Sequence, residues 1–140
     1  MTSSRGFTLI EAVIALAVAG VLSAVAYPTY RDVVQRAHRA DAITALMQVQ
    51  MAQERHRADH PRYATLAELR APAVSQAGQF QLSIVAPNAT GYEIRAAGPA
   101  ADVRCRHLRL VVDRGNTAQG SGSDERFGNA DALNRRCWGQ

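Results

Sequence analysis

The chain has 140 residues, of which 47% are hydrophobic and 20% are charged, with a formal net charge of +4. This length and composition are ordinary for one folded domain with an appendage and argue against a disordered chain. Apart from histidine, every basic residue is arginine, whose planar guanidinium suits carboxylates and phosphates. The exclusive use of arginine indicates either a solvated surface in a protein whose genome favours arginine over lysine, or a surface that binds an anionic partner such as DNA.

The first predicted element is an apolar helix at residues 7–26, interrupted by Thr8, Glu11, Gly20 and Ser23. About 20 apolar residues are enough to cross a bilayer as a helix. One interpretation is a secretory signal cleaved after the "AVA" at residues 24–26; another is an uncleaved anchor with a cytoplasmic arginine before it. Neither explains Glu11, because a carboxylate in a membrane span costs about 2.5–3.5 kcal/mol.

Three residues of this helix have predicted structural roles. Thr8 is placed at the helix start, where its hydroxyl can cap free backbone N–H groups. Gly20 and Pro28 weaken the helix, and the proline also removes one backbone hydrogen bond and bends the rod.

The next predicted element is an amphipathic helix over residues 31–58, ended by His60-Pro61. One apolar stripe, at spacings of three and four, is expected to face a core: Val33, Ala37, Ala40, Thr44, Met47 and Met51, widened by Val34, Ile43 and Leu46. The opposite side carries polar residues and is expected to face solvent: Arg36, Arg39, Gln48 and Arg55. The helix therefore requires a second layer to cover its apolar stripe.

Strand signals follow an irregular connection that contains one helical turn at residues 65–69. Alternating segments predict three strands, at residues 80–85, 92–96 and 105–113, joined by turns into an antiparallel meander with one buried face. Residues 115–130 are expected to form a loop, and a fourth short strand is allowed near the C-terminus. The expected fold is α+β: a long N-terminal hydrophobic and amphipathic helix packed on an antiparallel head of three to four strands.

Motifs for catalysis are missing from the sequence. Nothing fixes a nucleophile beside a base, and neither a phosphate-binding loop nor a dinucleotide glycine motif is present. Cys105 and Cys137 lie too far apart in sequence for a good metal site, and the histidines lack metal-ligand spacing. We therefore expect no enzymatic activity, no cofactor and no metal.

The segment "RGFTLIE" at residues 5–11 resembles the class III signal of type IV pilins and related pseudopilins. The segments "YPTYRDVVQRAHRADAITAL", "PRYATL" and "RRCWG" are similar to those of PilE-like minor pilins. The resemblance implies that residues 1–6 are a leader, that a prepilin peptidase cuts between Gly6 and Phe7, and that Phe7 is then N-methylated. It also implies that Glu11 pairs with the amine of a neighbouring subunit during assembly, and that the helix melts or curves near Gly20 and Pro28.

The family also implies an organisation and a set of partners. Residues 7–30 would form the transmembrane and filament-core half of the helix, residues 31–58 its amphipathic half, and residues 59–140 the head. The subunit would cross the inner membrane once, with its head in the periplasm, and would end in an extracellular pilus. Its partners would be other pilin subunits, the peptidase and methyltransferase, and the pilus assembly platform.

An extracytoplasmic location makes a Cys105–Cys137 disulfide the natural expectation, closing the C-terminal region. Two other functions stay open: a pseudopilin of a type II secretion system, and a minor pilin that binds DNA for uptake. The second rests on a set of arginines near the cysteines: Arg104, Arg106, Arg109, Arg135 and Arg136, with Arg114 and Arg126. The preferred interpretation is a solvated face balanced by nearby acids, namely Asp113, Asp124, Glu125 and Asp131.

Overall fold

In the computed structural model, which describes residues 8–140, a long helix is followed by an antiparallel sheet and a short helix. Helix α1 spans Leu9–Asp59 and continues through Pro28. The predicted leader and the Gly6–Phe7 cleavage point lie outside the described residues. The chain divides into two structural units, with the boundary between Val34 and Gln35 inside α1.

The first unit is an apolar helical rod. Its described side chains up to Val33 are exposed, including Leu16 at 73% and Val25 at 68%. This half of α1 is long and apolar enough to cross a membrane. Because so much apolar surface is unfavourable in water, the segment requires a lipid or protein environment.

The second unit contains a four-stranded antiparallel sheet in the order β1-β2-β3-β4. The strands are β1 Gln81–Val85, β2 Gly91–Ala97, β3 His107–Asp113 and β4 Asn116–Gly122, and helix α2, Asp131–Cys137, follows them. The first three strands confirm the predicted meander, with the third beginning at His107. Leu108 and Leu110 of β3 face the core.

The expected loop at residues 115–130 is wrong for its first part, because β4 occupies Asn116–Gly122. The turn before it explains the difference. Arg114 and Gly115 both have positive φ, of 48° and 82°, as in a two-residue type I′ hairpin. This turn places Asn116 opposite Asp113, so that β4 pairs with β3 as far as Gly122 and His107. Pairing through the backbone gives a strand to a segment with few β-forming side chains.

The predicted core stripe of the amphipathic helix is wrong for its six main residues, which are exposed, although Leu46 is buried as predicted and Ile43 packs against the core. Met47 and Met51 are 46% and 51% exposed. The buried face lies further round the helix: Ala42, Ala45, Leu46, Val49 and Gln53. Small alanines at this face allow the helix and sheet to approach closely, and both stripes satisfy the same spacing of three and four. The core lies between this face and the inward side chains of the sheet.

The connection between α1 and β1 is fixed by a capped turn. Thr65 and Glu68 exchange hydrogen bonds in the manner of a capping box, with Thr65 N donating to Glu68 Oε2 at 2.7 Å. Arg62 donates to the other oxygen of the same carboxylate. The bond from Arg62, together with those from Thr65, lowers the pKa of Glu68 to about 2.

Candidate functional sites

The start of α1 places Glu11 beside Thr8. The Thr8 amide and hydroxyl both donate to Glu11 Oε2, at 2.9 and 2.7 Å. The Glu11 amide contacts the Thr8 hydroxyl oxygen at 3.4 Å, which completes a capping box. The capping prediction for Thr8 is therefore confirmed. The carboxylate is anchored at a helix N-terminus, where an anion is favourable, and its second oxygen makes no hydrogen bond within residues 8–140.

The C-terminal region is closed by the predicted disulfide. Cys105 and Cys137 are bonded with a Cα–Cα distance of 5.5 Å, and both are 1% exposed. The bond links the segment before β3 to the end of α2. Trp138, directly after Cys137, is buried and donates its indole N–H to the Gly120 carbonyl at 3.2 Å. The disulfide and the tryptophan together hold α2 against β4.

Asn129 connects this region further. Its side-chain amide donates to the Arg104 carbonyl at 2.8 Å and to the Ser121 hydroxyl at 3.0 Å. The same nitrogen lies 3.6 Å from Cys137 Sγ. The segment after β4 is thus joined both to the strand it leaves and to the disulfide.

Sequence reasoning missed the role of Arg39, which was expected to face solvent. Its side chain is only 14% exposed, and Nε lies 3.2 Å from a carboxylate oxygen of Asp102. Its Nη1 contacts Cys105 Sγ at 2.9 Å. Asp102 in turn accepts from the Cys105 amide at 3.2 Å. No local pattern signals this ion pair, because Arg39 lies on α1 and Asp102 in the connection between β2 and β3, and only the folded head brings them together.

The disulfide brings four of the predicted arginines into one region of the head. Arg104 and Arg106 flank Cys105, while Arg135 and Arg136 directly precede Cys137. All four are exposed. Within residues 8–140 none of the four has a carboxylate within ion-pair distance. They therefore form a cationic surface around the disulfide, which we call the disulfide arginine surface.

The other predicted arginines have different surroundings. Arg109 extends from the solvent face of β3, with its guanidinium 4.8 Å from the centre of the Phe127 ring. Arg114 lies in the β3–β4 turn, at the opposite end of β3 from the disulfide, and its Nε is 3.6 Å from Asp113. Arg126 pairs with Asp124 at 3.8 Å. Glu125 lies 3.6 Å from Arg95. Three of the four acids that were expected to balance the arginines, namely Asp113, Asp124 and Glu125, therefore lie beside arginines outside the disulfide arginine surface.

Possible metal ligands do not converge in the part of the chain that the structure describes. No group of three or more histidine, cysteine, aspartate or glutamate side chains is placed to hold an ion there. His56 and His60 stack on each other with ring centroids 3.9 Å apart, and His60 Nδ1 donates to the His56 carbonyl at 3.0 Å. These two rings pack at the end of α1.

An exposed apolar half-helix with a carboxylate in its first turn, joined to a disulfide-closed sheet head, defines the pilin class of filament subunit. Comparison with family models agrees in both halves. Residues 1–27 match the prokaryotic N-terminal methylation motif. Residues 28–109 match the model described as type IV minor pilin ComP, DNA uptake sequence receptor. The second match covers more than half of the chain, which therefore belongs to the type IV pilin family.

Individual relatives support the same family. The type IV major pilin protein PilE1 of Neisseria gonorrhoeae is 32% identical over 119 residues, covering 82% of this chain and 72% of the relative. The type IV major pilin protein PilA of Myxococcus xanthus is 32% identical over 106 residues, 73% of this chain and 48% of that protein. A fimbrial protein of Moraxella nonliquefaciens is 46% identical over 44 residues, 31% of this chain and 29% of its own length. The chain thus spans only part of several of these relatives.

Proposed function

We propose that this chain is a minor pilin, a structural subunit of a type IV pilus, and that it enters the filament through the apolar half of α1 after removal of residues 1–6 and N-methylation of Phe7. The observation that carries the proposal is the Thr8–Glu11 capping box at the start of an exposed apolar helix, inside a matched methylation motif. The box leaves one carboxylate oxygen of Glu11 for the cationic amine of a neighbouring subunit. A paired charge is tolerable in an apolar environment, whereas an unpaired one is not.

Assembly then transfers the helix from lipid to a core of like helices. Before assembly the subunit crosses the inner membrane once, with its head on the periplasmic side, and the assembly platform extracts it into the pilus. Apolar surface stays out of water in both states, so the transfer costs little hydrophobic free energy. Pairing of Glu11 with an amine selects the register between subunits. The pilin relatives and the minor pilin model support a pilus over the pseudopilus of a secretion system.

Intact mass of the protein purified from its native membrane tests the processing step. A chain that starts at Phe7 and carries one extra methyl group supports the proposal, and a chain that starts at Tyr27 refutes it. Assembly is tested separately with Glu11→Gln, which should be processed normally but be absent from the sheared pilus fraction. Glu54→Gln makes the same chemical change at an exposed position of α1 within the second unit and should assemble. Equal incorporation of both variants would exclude a role for the Glu11 charge.

We also propose that the head binds DNA through the disulfide arginine surface. Four exposed arginines, none with a carboxylate partner within residues 8–140, supply the guanidinium donors that phosphates require. The description of the matched minor pilin model as a DNA uptake sequence receptor supports the same partner. Neutralisation of phosphates by this surface releases counterions, so binding should weaken steeply as salt rises.

Fluorescence anisotropy with a labelled DNA duplex, from 50 to 200 mM salt, tests DNA binding by the full chain in detergent. Arg135→Gln/Arg136→Gln should weaken binding and reduce the slope of log K against log salt by about two. Arg114→Gln is the matched control, because this arginine lies at the other end of the sheet beside Asp113. DNA binding that is unchanged in the double variant would refute the assignment to this surface.

A further inference from the structure

Phe127 is an aromatic residue on the solvent face of the sheet, yet it is only 7% exposed. Three cationic or polar side chains surround its ring. The guanidinium carbons of Arg109 and Arg95 lie 4.8 and 5.6 Å from its centre, and the His107 ring meets it edge-on at 6.4 Å. Its φ of 54° is unusual for a residue with a large side chain. Such a conformation persists only where the surroundings hold it, and it often marks a functional position.

Two glycines of β4 make room for this arrangement. Gly120 pairs with Arg109 and Gly122 pairs with His107, so both face the same side of the sheet as these residues. A Cβ at position 120 would lie 2.7 Å from Arg109 Nε. A Cβ at position 122 would lie 2.9 Å from the Phe127 Cα. The Arg109 side chain and Phe127 therefore lie directly on the backbone of β4.

The two arginines beside the ring differ in their charge partners. Arg95 Nε lies 2.7 Å from Glu93, and its Nη1 lies 3.6 Å from Glu125. Arg109 has no carboxylate within ion-pair distance in the part of the chain that the structure describes. A guanidinium held beside an aromatic ring can still donate its N–H groups to an acceptor. Arg109 is thus held in place with its charge available.

The position of Phe127 connects Arg109 to the disulfide arginine surface. Two residues after Phe127, Asn129 donates to the Arg104 carbonyl at 2.8 Å and contacts Cys137 Sγ at 3.6 Å. The segment that carries the ring is thereby tied to the backbone that carries Arg104 and to the disulfide. Arg109 and the disulfide arginine surface are parts of one tethered region.

We propose that Phe127 is a positioning residue that holds Arg109 as an additional DNA-phosphate contact, which extends the DNA site onto the solvent face of the sheet. The proposal rests on the DNA binding proposed above. Phe127 acts through Arg109 and does not stack on a base, because its ring is almost fully covered. The other aromatic side chains of the second unit are buried as well, namely Tyr63, Phe80, Tyr92 and Trp138. Phosphate contact by arginine, and not base stacking, is the mode that this region supports.

A double-mutant cycle in the full chain tests whether Phe127 acts through Arg109. Arg109→Gln should weaken binding of the labelled duplex and reduce the salt slope by about one. Phe127→Leu keeps an apolar side chain but removes the ring, and should weaken binding by about 3-fold to 10-fold, while Phe127→Tyr should bind as the parent does. In the Arg109→Gln background, Phe127→Leu should have no further effect.

Gly120→Ala gives the same test without altering Phe127. The added Cβ collides with the flexible Arg109 side chain, so the arginine moves while the fold remains. This change should weaken DNA binding in the parent and have no effect in the Arg109→Gln background. If Phe127→Leu does not fold, as judged by Trp138 fluorescence, Gly120→Ala decides the result.

The outcomes separate this inference from the DNA function on which it rests. If the parent protein does not bind duplex even at 50 mM salt, the DNA function fails and the inference fails with it. If the parent binds but Arg109→Gln binds equally well, only the extension onto the sheet is refuted. If Phe127→Leu or Gly120→Ala weakens DNA binding as much in the Arg109→Gln background as in the parent protein, the positioning role of Phe127 is refuted.

Discussion

Gln53 lies on the buried face of α1 and binds both backbone groups of one residue in the following connection. Its side-chain nitrogen donates to the Ala64 carbonyl at 2.6 Å, and its side-chain oxygen accepts from the Ala64 amide at 2.8 Å. Both residues are 0% exposed. Replacement of Gln53 by leucine keeps a similar volume but removes both partners, and water cannot reach the backbone groups that lose them.

The expected cost of this change follows from the two buried groups. A buried donor or acceptor left without a partner costs about 1–3 kcal/mol, and here there are two. Burial of a leucine side chain in place of an amide offsets about 1–2 kcal/mol of this loss. We therefore expect Gln53→Leu to lower the free energy of unfolding by about 2–4 kcal/mol.

Urea unfolding of the full chain in detergent measures this difference. Trp138, the single tryptophan, is buried in the head and reports on its unfolding. Gln48→Leu is the matched control, because Gln48 is exposed on the same helix and its replacement should change stability by less than about 0.5 kcal/mol. If the stability of Gln53→Leu also differs from that of the parent by less than about 0.5 kcal/mol, these hydrogen bonds do not stabilise the head as proposed.

Three further changes test the head. Cys105→Ser/Cys137→Ser removes a disulfide that spans a sequence separation of 32, and should lower the free energy of unfolding in urea by about 3–4 kcal/mol. Reductant should leave the stability of the double variant unchanged. Arg39→Met leaves the buried Asp102 carboxylate unpaired and should lower the free energy of unfolding by about 3 kcal/mol. Replacement of the exposed Arg36 by methionine should change this free energy little, and equal losses in the two variants would exclude a stabilising Arg39–Asp102 pair. The lowered pKa of Glu68 means that its ionised form stabilises the fold above its ordinary pKa of 4.5. The stability difference between the parent and Glu68→Gln should therefore be full at neutral pH and disappear as pH falls towards 2, and a difference that persists at pH 2 would contradict this.

Local chemistry in the sequence determined several features that the structure and the comparisons confirm. An apolar run with a threonine and a glutamate three residues apart is enough to predict a capped helix, because the capping box involves only neighbouring residues. Alternation in β1, β2 and β3 predicts strands with one buried face, because side chains of a strand alternate between the two sides of the sheet. The motif around Glu11 identified the pilin family, which the matched models establish.

The tertiary structure alone decided the features that depend on distant partners. Two stripes of α1 have the same spacing, and only contact with the sheet selects the alanine-rich face over Met47 and Met51. Strand β4 forms because a hairpin turn aligns its backbone with β3, although its side chains give little sign of a strand. The Arg39–Asp102 pair and the covered ring of Phe127 bring together residues far apart in the chain. Periodicity and turn chemistry report on neighbours along the chain, whereas burial and ion pairing depend on which elements the folded head places side by side.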